Sequence, residues 1–330
     1  MLPNLVTGAT GFVGSAVARL LLARGEAVRV LVRRGSDRAN LAGLDVEPVE
    51  GDLTDPASLA RAVAGCTRVF HVAADYRIWV PDPAAMLAAN VGGTTSLMLA
   101  AAEAGASRIV YCSSVAALGL TKDGSPADEA TPVSDASVIG IYKKSKFRAE
   151  QAVLDLVRNR GLPAVIVNPA APVGPRDIKP TPTGKMIADA AAGRMPAYVE
   201  TGLNIVHVDD VAAGHLLAAE RGTIGERYIL GGENLTLAQV LALIDGVTGR
   251  TQRRMRLPGK LLWPLALACE GAATLTGITP LVTRDHLRMA RKMMFFSSAK
   301  AQRELGYAPR PAGAAVADAI AWFRANGRLG

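Results

Sequence analysis

The sequence predicts an α/β protein: a doubly wound parallel sheet of the Rossmann type, with helices on both faces and a smaller carboxy-terminal lobe. Three observations predict it. Short apolar strand-like runs alternate with Ala/Leu-rich helical stretches through the first half. A glycine turn, Thr7-Gly8-Ala9-Thr10-Gly11-Phe12-Val13-Gly14, separates the first run from the first helical stretch. Beyond Asn168 the alternation gives way to a proline-rich segment and then to irregular helical sequence.

The strand-like runs are 5–6, 27–32, 46–49, 68–72, 108–112 and 164–167. The helical stretches between them include 12–24, 56–64, 83–104 and 138–160. Repeated β-α units with apolar strands imply a parallel sheet covered on both sides. Pro169, Pro172, Pro175, Pro180 and Pro182 break regular structure, so the segment that holds them is expected to be loop. A strand-like run at 204–208 and a helix-like run at 211–221 then look like a return to the sheet. The expected division is residues 1–170 with 204–230 as the sheet domain, and 171–203 with 231–315 as a lobe over the carboxyl ends of the strands.

The chain has 330 residues, 50% hydrophobic and 20% charged, which suits a folded globular protein and argues against disorder. A net charge of +8 favours anionic partners: cofactor phosphates, a membrane surface or nucleic acid. No nucleic-acid motif is present and aromatics make up only 5%, so nucleic acid is not expected. Peripheral membrane contact stays open, beside a merely solvated basic surface. Cys66, Cys112 and Cys269 fall in no motif, which fits a reducing, cytoplasmic setting without structural zinc. The chain starts directly on an apolar run, so no leader is expected. The most apolar later stretch, 261–283, holds Glu270, Pro264 and Pro280 and is not read as membrane-spanning.

In the glycine turn, Gly8 permits the tight bend and Gly11 lets backbone approach a pyrophosphate at the helix N-terminus. Gly14 allows close helix–sheet packing. The spacing is G-x-x-G-x-x-G. The second strand runs into Arg33 and Arg34, and the next acid is Asp37. A carboxylate there would bond a ribose hydroxyl, whereas guanidinium groups fork onto a 2′-phosphate. The expected cofactor is therefore NADP(H), with NAD as the alternative. Asp52, beside Leu53 after the third strand, is read either as an adenine contact or as part of a cap ahead of Pro56.

Tyr142 and Lys146 lie four residues apart, on one helix face. A nearby ammonium favours the phenolate and brings proton exchange closer to neutrality. The run 110–114 ends a strand at the edge that also holds the glycine turn, so Ser114 can donate to a substrate oxygen beside Tyr142. Ser113 competes for that role, and either hydroxyl can be a turn former.

Together these residues resemble the extended short-chain dehydrogenase/reductase family, over most of the chain. The resemblance rests on Thr7-Gly8-x-x-Gly11-x-x-Gly14, Asp52-Leu53, His71-Val72-Ala73-Ala74, Asn90-Val91-x-Gly93-Thr94 and the set Ser114, Tyr142 and Lys146. Asn168-Pro169 through Val173-Gly174-Pro175, His207 through Val211, and Ser298 through Tyr307 add to it. It implies a catalytic role for Ser114, Tyr142 and Lys146. It also implies cofactor contacts at Gly8, Thr10, Gly11, Phe12, Val13, Gly14, Asp52, Leu53, Ala73, Ala74, Asn90, Tyr142, Lys146 and Pro169.

Within the family the chain is most similar to the hopanoid-associated sugar epimerase group, close to dihydroflavonol 4-reductases. Arg33-Arg34 departs from the NAD-retaining epimerases and resembles the NADPH reductases. Leu118 stands where many sugar epimerases carry a tyrosine. The expected activity is reduction of a carbonyl on a small-molecule or lipid-like substrate. A nucleotide-sugar epimerase or dehydratase and a non-catalytic cofactor sensor are the alternatives. A homodimer is left open.

Residues 261–263, 265–267 and 293–296 are read as core or pocket lining. Arg284, Arg288, Arg291 and Lys292 are read as a solvated face or an anion contact. Asp75, Tyr76, Arg77 and Trp79 are expected at the edge of the site. His207, His215 and His286 show no metal spacing, so no metal is expected.

Overall fold

Seven strands build the main sheet of a computed structural model that describes residues 2–77, 80, 82–258, 262–276, 287–288 and 292–329. They are β1 (Asn4–Thr7), β2 (Val28–Val32), β3 (Glu47–Glu50), β4 (Arg68–His71), β5 (Arg108–Cys112), β6 (Ala164–Pro169) and β10 (Arg227–Leu230). All pair in parallel, in the order β10-β6-β5-β4-β1-β2-β3. Alternation along each strand feeds two cores. Val6, Val165 and Val167 face one side, whereas Leu5, Ala164 and Ile166 face the other.

The first face is covered by α1 (Phe12–Ala23), α7 (Val208–Arg221) and α10 (Ala299–Leu305), through residues such as Val17, Leu21, Val211 and Leu305. The second is covered by α2 (Pro56–Val63), α4 (Gly93–Glu103) and α5 (Ile141–Arg160), through Leu59, Leu97, Met98, Ala149 and Val153. α3 (Pro83–Leu87) runs into α4 through one π turn, Ala88–Gly92. By length and composition the whole stretch could cross a membrane, but Met86, Leu97, Met98 and Ala101 are buried inside the protein. Local signals set the helix ends. Asp55 caps α2 with Pro56 behind it, and Gly161 closes α5 at φ +64°.

A second sheet holds β7 (Ala171–Val173), β9 (Gly202–His207) and β11 (Glu233–Thr236), in the order β11-β9-β7. Its core is shared with α6 (Pro182–Ala191), α8 (Leu237–Thr248) and α11 (Ala312–Ala325) around Ile187, Val240, Val316 and Phe323. A short pair, β8 (Ala197–Tyr198) with β12 (Met255–Arg256), and α9 (Trp263–Thr276) are further elements.

Three expectations are corrected. The proline-rich segment is not all loop: β6 runs through Pro169, and β7 forms at once by pairing with β9. Pro182 starts α6 rather than breaking structure, since Thr181 accepts from the Gly184 amide and proline fits the first turn. The strand near 204–208 joins the second sheet, and the strand that returns to the main sheet is β10. Trp79, Leu261, Pro280, Arg284, His286 and Arg291 lie outside the described residues.

Candidate active site

The strand order reverses between β1 and β4, which opens a crevice at their carboxyl ends. The glycine turn leaves β1 there. Gly8 sits at φ +72°, and a Cβ on it would lie 2.8 Å from the Ala73 amide nitrogen beyond β4. A Cβ on Gly14 would lie 2.3 Å from the Gly8 carbonyl. The turn is thus pressed between α1 and β4 with no room for side chains. Thr7 Oγ1 accepts from the Val72 and Ala73 amides at 3.1 Å each, tying β1 to the chain after β4. Asn40 Nδ2 donates to the Thr10 and Gly11 carbonyls, holding the turn from the other side.

Gly11 caps α1 without a side chain, and the first turn, starting at Phe12 and Val13, carries no acid. Its amides and helix dipole are open to an anion, so the cradle fits a dinucleotide diphosphate. Arg33 and Arg34 are exposed just past β2 and form no ion pair among the described residues. Asp52 accepts from the Thr54 amide and hydroxyl at 2.8 and 2.6 Å. Those bonds, with a smaller contribution from Arg33, hold it below the usual carboxylate range. The cap ahead of Pro56 is Asp55, not Asp52. Leu53 packs beneath Gly93, and Ala73 and Ala74 are half-buried where β4 ends.

Asn90 sits in the π turn with its amide already engaged. It accepts from the Asp75 amide at 2.7 Å and donates to the Asp75 carbonyl and to Ser145 Oγ. Ser145 in turn donates to the Tyr142 carbonyl at 2.7 Å. Asn90 therefore braces the start of α5 from beneath. Pro169 is buried at the end of β6.

Gly140, at φ +86°, delivers the chain into α5, so Tyr142 lies in its first turn. Ser114 follows β5, with its side chain close enough to the Tyr142 phenol to pull its pKa down. Its Oγ also accepts from the Ala116 amide at 3.1 Å, and its carbonyl accepts from Asn168 Nδ2 at 3.0 Å. Ser113 is buried instead, on the side of Glu150, whose carboxylate accepts from Asn168 and Arg227. The sequence reading expects Lys146 to make the Tyr142 phenol more acidic. The structure corrects this: burial pushes it up to about 12, against the smaller downward pull of Ser114.

Lys146 turns to β5. It donates to the Cys112 carbonyl at 2.8 Å and to the Tyr111 hydroxyl at 3.3 Å, and burial lowers its pKa. Thr94 lies beside the Tyr111 hydroxyl and is bonded by His71 Nε2 at 2.9 Å, and His71 Nδ1 by Thr7 Oγ1 at 2.8 Å. Because Thr7 Oγ1 already accepts two amides, its proton goes to Nδ1, which assigns the ring proton to Nε2. Burial drops His71 to about 3, so it stays neutral. A directed polar chain thus runs from the glycine turn through His71 to Thr94, beside the tyrosine that Lys146 contacts.

The sequence reading missed Tyr111 and Glu150 as parts of the site, and named Thr94 only within the motif that begins at Asn90. Tyr111 alternates with Val110 and Cys112 and therefore faces α5, a signal present in the strand pattern. Asp75 and Tyr76 do follow β4 at the crevice, with Arg77 paired to Asp75.

Residues 4–231 match the model of the "NAD dependent epimerase/dehydratase family". A protein of Synechocystis sp., provisionally named dihydroflavonol 4-reductase, is 45% identical, over 98% of this chain and 94% of its own length. The sterol demethylase protein B of Methylococcus capsulatus is 40% identical, over 99% of each chain. The crystal structure of gox2253 superposes with a TM-score of 0.90 at 63% identity, covering 100% of both chains. This chain belongs to the NAD dependent epimerase/dehydratase family and is an NAD(P)-dependent oxidoreductase or epimerase/dehydratase.

Proposed function

We propose that this chain is an NADP(H)-dependent carbonyl reductase acting on a lipid-like, hopanoid- or sterol-sized substrate. The observation that carries the reading is the Ser114–Tyr142 pair at the edge that holds the glycine cradle, with the phenol held protonated by burial. A protonated phenol is a general acid, which is what carbonyl reduction needs. Bound in the cradle, the nicotinamide cofactor supplies the hydride. As the carbonyl carbon gains that hydride, Tyr142 gives its proton to the carbonyl oxygen and the product leaves as an alcohol. Ser114 donates to the same oxygen and orients it. Lys146 keeps a fixed positive charge at the end of β5 and serves as a contact for the cofactor ribose. Arg33 and Arg34, exposed beyond β2 and in no ion pair among the described residues, support a 2′-phosphate and hence NADP(H).

The family description supports a second reading, in which the same residues first oxidise a sugar hydroxyl and then return the hydride. One measurement separates the two. The purified protein is supplied with carbonyl substrates and NADPH, and cofactor oxidation is compared with alcohol formed. One-to-one consumption supports the reductase. Turnover without net cofactor consumption, with cofactor retained through purification, supports the epimerase or dehydratase.

A further inference from the structure

Lys143 follows Tyr142 in the first turn of α5, and its surroundings are unusual for a lysine. The side chain is half-buried, and its Nζ contacts Met294 Sδ at 4.0 Å. Met294 packs on a small apolar cluster of Leu118, Ala127 and Phe296, with Val115 and Leu120. Val115 directly follows Ser114, and Leu118 lies three residues further on. Lys143 therefore sits where the chain leaving Ser114 meets the segment 292–298 of the lobe.

Lys292, two residues before Met294, is a second cation that acts on this ammonium, and its carbonyl accepts from Thr201 Oγ1 at 3.0 Å. Burial first, and Lys292 second, lower Lys143 to about 8. Neither lysine is in an ion pair among the described residues, whereas Lys185 and Lys300 are paired with Asp189 and Glu226. Withdrawing a cation from water toward a like charge costs free energy, and buried charges are normally paired. A lysine that merely covered apolar surface would carry its head out to solvent, away from a second ammonium.

We propose that Lys143 and Lys292 form an anion subsite beside Tyr142, where α5 meets the segment 292–298, which takes a carboxylate or phosphate group carried by the substrate. The inference rests on the reductase reading only in placing the substrate beside Tyr142. Its test is binding, not turnover. The protein saturated with NADP⁺ is titrated calorimetrically with octanoate, octyl phosphate and methyl octanoate. The expected result is that at least one anion binds about tenfold more tightly than the neutral ester, the scale of a charge-assisted hydrogen bond. Which anion wins distinguishes carboxylate from phosphate.

Lys143→Met and Lys292→Met should each lose about that tenfold, while Lys144→Met on the same helix should not. NADP⁺ affinity checks that each variant is folded, and the exposed Lys292 keeps the test available if Lys143→Met does not fold. Equal binding of ester and anions, no anion binding, or unchanged anion affinity in the folded variants would overturn the proposal. Anion selectivity without any carbonyl reduction would remove the reductase reading and leave the subsite standing. Reduction without anion selectivity would do the reverse.

Discussion

Lys146 Nζ meets the Tyr111 hydroxyl at 3.3 Å and the Cys112 carbonyl at 2.8 Å, so the ammonium is fixed by the strand beneath it. Burial already disfavours its charge. Removing the hydroxyl removes an acceptor that stabilises the charged form, so the pKa of Lys146 should fall further. Tyr111→Phe is expected to lower kcat by about three- to tenfold, the scale of one hydrogen bond. It should also move the alkaline limb of the kcat profile to lower pH. A profile measured on both proteins decides it: an unmoved limb would make Tyr111 a packing residue only.

Tyr142→Phe removes the proton donor and leaves the cradle intact. Turnover should fall by about a hundred- to ten-thousand-fold, the usual worth of a general acid, while NADPH still binds. Single-turnover kinetics beside a fluorescence titration test both halves. Near wild-type turnover would sink the assignment.

What the sequence made legible depended on how local the signal was. The glycine turn is set by adjacent residues, and the structure places it between β1 and α1 as expected. The Tyr142–Lys146 spacing correctly put both on α5, but not the direction of the phenol's shift. That direction depends on how much protein covers the ring, a tertiary quantity. Prolines misled the reading of 169–182, because Pro182 at a helix start and Pro172 in a short strand are tolerated in positions that composition alone does not reveal. Glu150 and Asn168, 18 positions apart, become partners only when α5 packs on β6.

Arg33 and Arg34 form no ion pair among the described residues, so their removal should leave the fold alone. The double change Arg33→Ser, Arg34→Ser is expected to weaken NADPH by roughly ten- to a hundredfold, the scale of charge-assisted bonds to a phosphate. NADH affinity should hold steady. Parallel titrations with the two cofactors read the difference, and an equal loss for both would remove the 2′-phosphate assignment.

Gly14 and Gly92 offer a matched pair of alanine substitutions. A Cβ on Gly14 meets the Gly8 carbonyl at 2.3 Å, whereas one on Gly92 meets nothing within 4 Å. Gly14→Ala should cost about 1–3 kcal/mol through overpacking and should also loosen cofactor binding. Gly92→Ala should be neutral, or stabilising by up to about 1 kcal/mol from helix propensity. Denaturant unfolding of both gives the comparison.

Two buried groups should tilt stability with pH in opposite senses. His71 falls from 6.5 to about 3 on folding, so the fold favours its neutral form. Its contribution is full above 6.5 and is lost as pH falls toward 3, because the unfolded chain takes up the proton first. Asp177, which accepts from the Thr181 amide and hydroxyl, rises from 3.8 to about 6 by burial. Its contribution is full below 3.8 and is lost as pH rises through 6. His71→Gln should therefore flatten the acid loss of stability, and Asp177→Asn should steepen it by removing the opposing slope. Melting temperatures recorded across that window for the three proteins test the pair, and parallel curves would refute both linkages.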